Sequence, residues 1–125
     1  MKENDISYLI RGMIFKVYQK LGPGLLESVY ENALAYEIQK AGLKVRTQVP
    51  LPVVYGDVQL ELGFRIDVLV EEKIIVEIKS VEQVADVHHK QILTYLRLAN
   101  KKLGLLVNFN TIDINASIIR KVNNL

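Results

Sequence analysis

Two runs of strand length, Phe64–Val70 and Ile74–Lys79, lie either side of the charged triplet Glu71-Glu72-Lys73, and no other feature constrains the fold as much. Side chains alternate faces along a strand. Phe64, Ile66, Val68 and Val70 therefore share a face of the first run, as Ile74, Val76 and Ile78 do of the second. Both rows bury against one core only if they face the same way, because a slip of one residue turns a whole strand over. That register gathers Asp67, Glu77 and Lys79 on the opposite face, and with Val70 opposite Ile74 it sets Asp67 opposite Glu77. A loop of this length favours Gly at its last position, where Lys73 stands, so the register is open at this stage.

Carboxylates facing each other across two strands repel. A divalent cation between them converts the repulsion into binding, and an all-oxygen donor pair suits Mg²⁺, Mn²⁺ or Ca²⁺. Lys79 beside them could stabilise negative charge developing on a phosphate or help activate a water. The plainer alternative is a solvated sheet face on which Lys79 neutralises Glu77. Leu69 and Ile75 share that face, which argues that it is partly covered.

Around this hairpin the periodicity predicts a first helix over Asp5–Leu21, with Ile6, Leu9, Ile10, Met13, Ile14, Val17 and Leu21 at helical spacing. Gly22 ends it, and Pro23 suits the first turn of a second helix running to Ala41 and stopping at Gly42. Short β-type runs follow at Val45–Val49, at Val53–Tyr55, and, after a Gly56-Asp57 turn, at Val58–Leu62. Pro50 and Pro52 place the first of these near a sheet edge or at a break. A third helix is expected between about Asp86 and Lys101, then a buried strand over Leu103–Phe109. The tail from Thr111 to Leu125 suits either a strand or a short helix. A strand–helix–strand unit near the end implies a right-handed parallel crossover, hence an α/β or α+β fold with a mixed sheet.

Two more polar positions stand out. Glu27 heads the apolar stripe Tyr30, Leu34 and Ile38 of the second helix, which aims a carboxylate toward the sheet. Its plainer reading is a rim glutamate favoured by the helix N-terminus. Gln91 interrupts the stripe Val84, Val87, Gln91, Tyr95, Leu98 of the third helix, where a buried amide needs partners. A satisfied boundary glutamine explains it equally well. His88 and His89 near the start of that helix read as surface residues rather than ligands. Lys90, Arg97, Lys101 and Lys102, with Lys16 and Lys20, are candidates for phosphate contact, and the solvated side of a helix explains them at least as well.

At 125 residues the chain is expected to be one domain, residues 1–125. With no cysteine, thiolate chemistry, disulfides and Cys-based metal sites are excluded. Sixteen basic against 14 acidic residues give a formal charge of +2, too mild to announce a nucleic-acid binder and no bar to a local patch. No apolar run approaches the roughly 20 residues a membrane helix needs, and no signal-peptide pattern opens the chain. A soluble, cytoplasmic protein is the expectation.

Taken together, Asp67, Glu77-Ile78-Lys79 and the helix–strands–helix–strand order resemble the PD-(D/E)XK nuclease superfamily. Within it, Gly24-Leu25-Leu26-Glu27-Ser28-Val29-Tyr30 resembles the motif of the small prokaryotic GxxExxY proteins, and Gln91-Ile92-Leu93-Thr94-Tyr95 resembles the Q-x-x-x-Y helix motif. Ile66 stands before Asp67 where the superfamily name has Pro. The resemblance implies a restriction-endonuclease-like core, a mixed sheet in the order helix-strand-strand-strand-helix-strand with an extra N-terminal helix. It implies a Mg²⁺- or Mn²⁺-dependent nuclease acting on DNA or RNA. Asp67, Glu77 and Glu27 would be the metal site, Lys79 the catalytic lysine and Gln91 a positioning residue, with Tyr95 reserved for packing. A homodimer would let such a small enzyme cut both strands. The alternative is a non-catalytic nucleic-acid- or protein-binding module on the same fold.

Overall fold

The computed structural model describes residues 1–60 and 63–125; Glu61 and Leu62, the last residues of the expected Val58–Leu62 strand, lie outside the described residues. Two helices come first, α1 (Glu3–Leu21) and α2 (Glu27–Lys40). Strands β1 (Val45–Pro50), β2 (Val53–Tyr55), β3 (Val58–Leu60), β4 (Arg65–Val70) and β5 (Ile74–Lys79) follow, then α3 (Asp86–Ala99) and β6 (Leu103–Asn108). A 3-10 turn at Asn115–Ser117 leads into β7 (Ile118–Val122), so the ambiguous tail is a strand. The main sheet has the order β1-β4-β5-β6-β7, and β2 and β3 form a separate hairpin. Among the described residues only the β5–β6 pair is parallel, with α3 as the connection between them. This is a mixed α/β sheet of the restriction-endonuclease-like type. Its core runs α2-β1-β4-β5-α3-β6, α1 is the additional helix, and β7 extends one edge.

Two apolar layers hold the sheet. Ile6, Ile10 and Ile14 of α1 and Tyr30, Leu34 and Ile38 of α2 bury against Val68, Val76, Leu105 and their neighbours on one face. On the other face Ile92, Tyr95 and Leu96 of α3 pack on Leu69, Ile75 and Leu106. The α3 stripe expected from the sequence is thereby displaced by one position: Val87 and Leu98 are exposed and Ile92 and Leu96 are buried. Gly104 sets that choice. A Cβ on it would come within 3.0 Å of Ile92 Cδ1 and 3.2 Å of the Ile75 carbonyl, so the bare backbone of β6 is where Ile92 docks.

The start of α2 also differs from expectation. Pro23 does not open the helix, because Gly24 at φ +95° holds the chain out of the helical region until Glu27. Tyr30 fastens this entry: its hydroxyl donates to the Gly22 carbonyl (2.6 Å) and accepts from the Leu25 N–H (3.1 Å). Its ring stacks on Phe109, centroids 4.3 Å apart, at the end of β6.

The register of the β4–β5 hairpin is the expected one, with Val70 opposite Ile74 and Val68 opposite Val76. No glycine is needed because Glu71 and Glu72, at φ 53° and 54°, take the left-handed conformations of the turn themselves. The shared face predicted for Phe64, Ile66, Val68 and Val70 is not kept. Ile66 joins Leu69 in the α3 layer, whereas Val68 and Val70 belong to the α1–α2 layer. Strand β1 changes face at the same level, since Val45 packs with the first layer and Val49 with the second. Between them Gln48 has φ 50°, and the β1–β4 ladder omits a Gln48–Asp67 pair. Both strands therefore break their alternation at one level, next to Asp67.

Candidate active site

That break creates the site. Beyond Val68–Val76 the β4–β5 ladder stops pairing backbone with backbone. The Asp67 N–H donates instead to Glu77 Oε2 (2.8 Å), and the Ile78 N–H donates to Asp67 Oδ2 (2.9 Å). Each carboxylate thus takes a donor from the strand that carries the other, and the two acids fill a gap between β4 and β5. Glu77 is 4% exposed. That burial, rather than a solvated face, surrounds Glu77, and Lys79, which makes no ion pair among the described residues, acts on it only through its field.

Burial and proximity act on the acids in the same direction. The Glu77 carboxyl is pushed up to about 8, first by desolvation and then by the Asp67 charge, against the weaker pull of the Asp67 N–H and the Lys79 ammonium. The Asp67 carboxyl is also raised, chiefly by burial, while the Ile78 N–H, Lys79 and Gln48 oppose the rise. Two acids that resist ionisation side by side form a place where added positive charge is favoured.

Three further groups surround the pair. Glu31, one turn after Glu27, was not singled out from the sequence. Its Oε1 accepts from Gln48 Nε2 (2.6 Å), and the same amide reaches Asp67 Oδ1 at 3.4 Å. The Glu31 carboxyl is raised by burial first, with the Asp67 and Glu27 charges adding to the rise. The signal available for it was its i+4 spacing from Glu27; nothing marked Gln48, whose role depends on an unusual backbone angle. Glu27 stands to the side, exposed, with Oε2 accepting the Ser80 N–H at 3.0 Å. It ties the start of α2 to the residue after Lys79, and Ser80 Oγ returns a bond to the Leu25 carbonyl (2.6 Å).

On the α3 side Gln91 is half-buried and donates through Nε2 to the Tyr95 hydroxyl (3.0 Å), so it orients Tyr95 rather than interrupting a core row. Tyr95 packs edge-on against Phe64, centroids 5.9 Å apart. Its hydroxyl is pushed up by burial first and then by Glu77 and Asp67, which places it within their field. His88 Nδ1 accepts the Ala85 N–H (3.1 Å), a helix-start role consistent with the plainer reading. Among the described residues no three His, Asp or Glu side chains converge to hold a metal ion by themselves.

The donor set still fits a hard cation. Mg²⁺ keeps most of its water and is commonly held by one or two carboxylates plus substrate phosphate, which is what Asp67 and Glu77 offer. No helix is long and apolar enough to cross a membrane among the described residues. In comparisons with known proteins, no curated protein and no solved structure matches the chain. The family model described as the PD-(D/E)XK nuclease superfamily matches residues 4–121, which include Asp67, Glu77, Lys79 and all of the main sheet but the last residue of β7. The chain belongs to the PD-(D/E)XK nuclease superfamily.

Proposed function

We propose that the protein is a Mg²⁺- or Mn²⁺-dependent phosphodiesterase that hydrolyses DNA, with RNA as the second candidate substrate. The observation that carries this reading is the Asp67–Glu77 pair, two buried acids bonded to each other's strands with Glu77 raised to about 8. In this reading Asp67 and Glu77 would hold the ion, with Glu27 and Glu31 adding negative charge beside them. A bound divalent ion supplies positive charge that lowers the pKa of a water and offsets charge on the scissile phosphate. Lys79 orients the attacking water or neutralises the phosphate as the water oxygen bonds to phosphorus, the P–O bond to the leaving group breaks, and the proton released by the water is balanced by one the leaving oxygen takes from solvent. Gln91 and Tyr95 hold the α3 side of the pocket. The GxxExxY resemblance gains a physical content here, since Gly24 makes the turn, Glu27 fastens Ser80 and Tyr30 clamps the loop between them. A cytoplasmic location and a homodimer belong to the same proposal.

The test is calorimetric titration of Mn²⁺ and Mg²⁺ into the wild type and an Asp67→Asn/Glu77→Gln variant in one buffer, followed by incubation with single- and double-stranded DNA and RNA. Saturable binding lost in the variant, with metal-dependent cleavage of at least one substrate, is expected. Metal binding without cleavage of any of the four substrates would move the protein to the binding-module reading. Absence of metal binding with nucleic acid present would remove the carboxylate centre from the function.

A further inference from the structure

A groove of about 520 Å³ lies between α1 and the β6–β7 side of the sheet, away from the carboxylate pair. Leu105 forms part of its lining, with Tyr8 and Phe15 from α1, and no acid lines it among the described residues. Two guanidiniums do. Arg11 donates to the carbonyl and the side-chain oxygen of Asn115 and lies 5.7 Å over the Phe15 ring. Arg120, from the edge strand β7, donates to Asn4 Oδ1 (2.7 Å). Neither has a carboxylate partner among the described residues, so the charges are met by neutral oxygens and, at Arg11, by the Phe15 ring.

Gly12 gives a second, independent pointer. A glycine inside a helix costs stability relative to alanine. The usual compensation is a close neighbour that a Cβ would strike, yet a Cβ on Gly12 meets nothing within 4 Å. Its bare backbone lines the groove, and it also borders a second hollow toward α2 with Lys16 and Glu37. A bare stretch of helix backbone beside two uncompensated guanidiniums suits close approach by an anion from outside the chain.

The arrangement favours an extended anion over a single phosphate. Arg120 is anchored at Asn4, whereas Arg11 leans toward Phe15, and Asn4 and Arg11 alone are about 10 Å apart along the helix axis. Charges spread in this way match a chain of phosphates, and Tyr8, 70% exposed, offers a ring on which a base can stack. We infer that the groove is a second nucleic-acid contact, which grips a single strand along α1 through Arg11 and Arg120 and admits its backbone at Gly12. In taking a nucleic-acid strand as the occupant, this inference rests on the function proposed above.

The experiment is fluorescence anisotropy with a labelled single-stranded oligonucleotide and the full chain, in EDTA so that no cleavage occurs, over a range of salt. A nucleoside monophosphate serves as competitor. Arg11→Gln/Arg120→Gln is expected to weaken binding about tenfold and to flatten the salt dependence, by about 0.7 in log–log slope per lost contact. Gly12→Ala is expected to weaken binding about fivefold while its melting temperature holds or rises, a combination that a merely structural glycine does not give. Binding by either variant within about twofold of the wild type overturns the inference, as does a monophosphate that competes as well as the oligonucleotide. The nuclease reading fails separately: strand binding that depends on the arginines, in a protein that binds no metal, sinks that reading and leaves the groove standing.

Discussion

Glu77 carries the largest unfavourable charge at the candidate site, and its consequence for stability has a definite sign. Its carboxyl is raised from 4.5 to about 8, so the folded protein holds a proton there that the unfolded chain releases above pH 4.5. The stabilising effect of that proton is fully present below pH 4.5 and is lost as pH rises through about 8. Metal-free protein is therefore expected to lose stability between those limits, by an amount on the order of 5 kcal/mol at most. Melting curves across that range check it: Glu77→Gln should flatten the profile and raise the melting temperature at pH 8, and saturating Mg²⁺ should do the same for the wild type. A wild-type profile that is flat without metal contradicts the assigned burial. At Tyr30 the expectation concerns the loop instead. Tyr30→Phe removes the bonds to Gly22 and Leu25 and leaves the ring stacked on Phe109, which should cost roughly 1–3 kcal/mol by denaturant titration. Asp67, Glu77 and Lys79 were legible in the sequence because charge at alternating positions of an apolar hairpin is conspicuous. Glu31 and Gln48 were not, because what recruits them is the break in β1 and β4, and no residue type announces a left-handed glutamine.

At the scale of elements, helix and strand identities followed from periodicity, and the discrepancies have local causes. α2 begins at Glu27 because Gly24 forbids helix before it, and α3 turns its buried face to Ile92 because Gly104 leaves a gap on β6. Periodicity reports that a helix has an apolar side; the partner surface decides which residues occupy its centre. The docking of α3 can be tested with Gly104→Ala, expected to cost about 1–3 kcal/mol through the Ile92 and Ile75 clashes. Ile92→Val removes the Cδ1 atom, so the double variant should be less destabilised than the sum of the single ones. Simple additivity would mean that the two positions do not meet. The face change in β1 and β4 was beyond sequence reasoning, since alternation is assumed along a strand and a break appears only when two strands are seen together.

For the molecule as a whole, the five-stranded sheet between two helical layers contrasts with the β2–β3 hairpin, which among the described residues pairs only with itself. Val54, Tyr55 and Val58 of that hairpin are exposed. Cooperative protection should therefore be uneven. Amides of β5 and β6 are expected to exchange with solvent only on global unfolding, and those of β2 and β3 orders of magnitude faster, as read by hydrogen–deuterium exchange. Equal protection would mean that the hairpin is held by something more than its own bonds.

The reciprocal bonding of Asp67 and Glu77 has a bearing on how such a chain would drift under mutation. The fold asks each position for an oxygen that accepts a backbone N–H, and it asks for no charge. Asparagine and glutamine satisfy that request without the repulsion, and each is a single-nucleotide change away from the acid it would replace. Random change thus offers this lineage a more stable protein at two positions, repeatedly. A chain kept only for its shape would be expected to have accepted the offer. Under the function proposed above, two acids standing where amides would make the same hydrogen bonds are expected to hold the structure below its stability optimum.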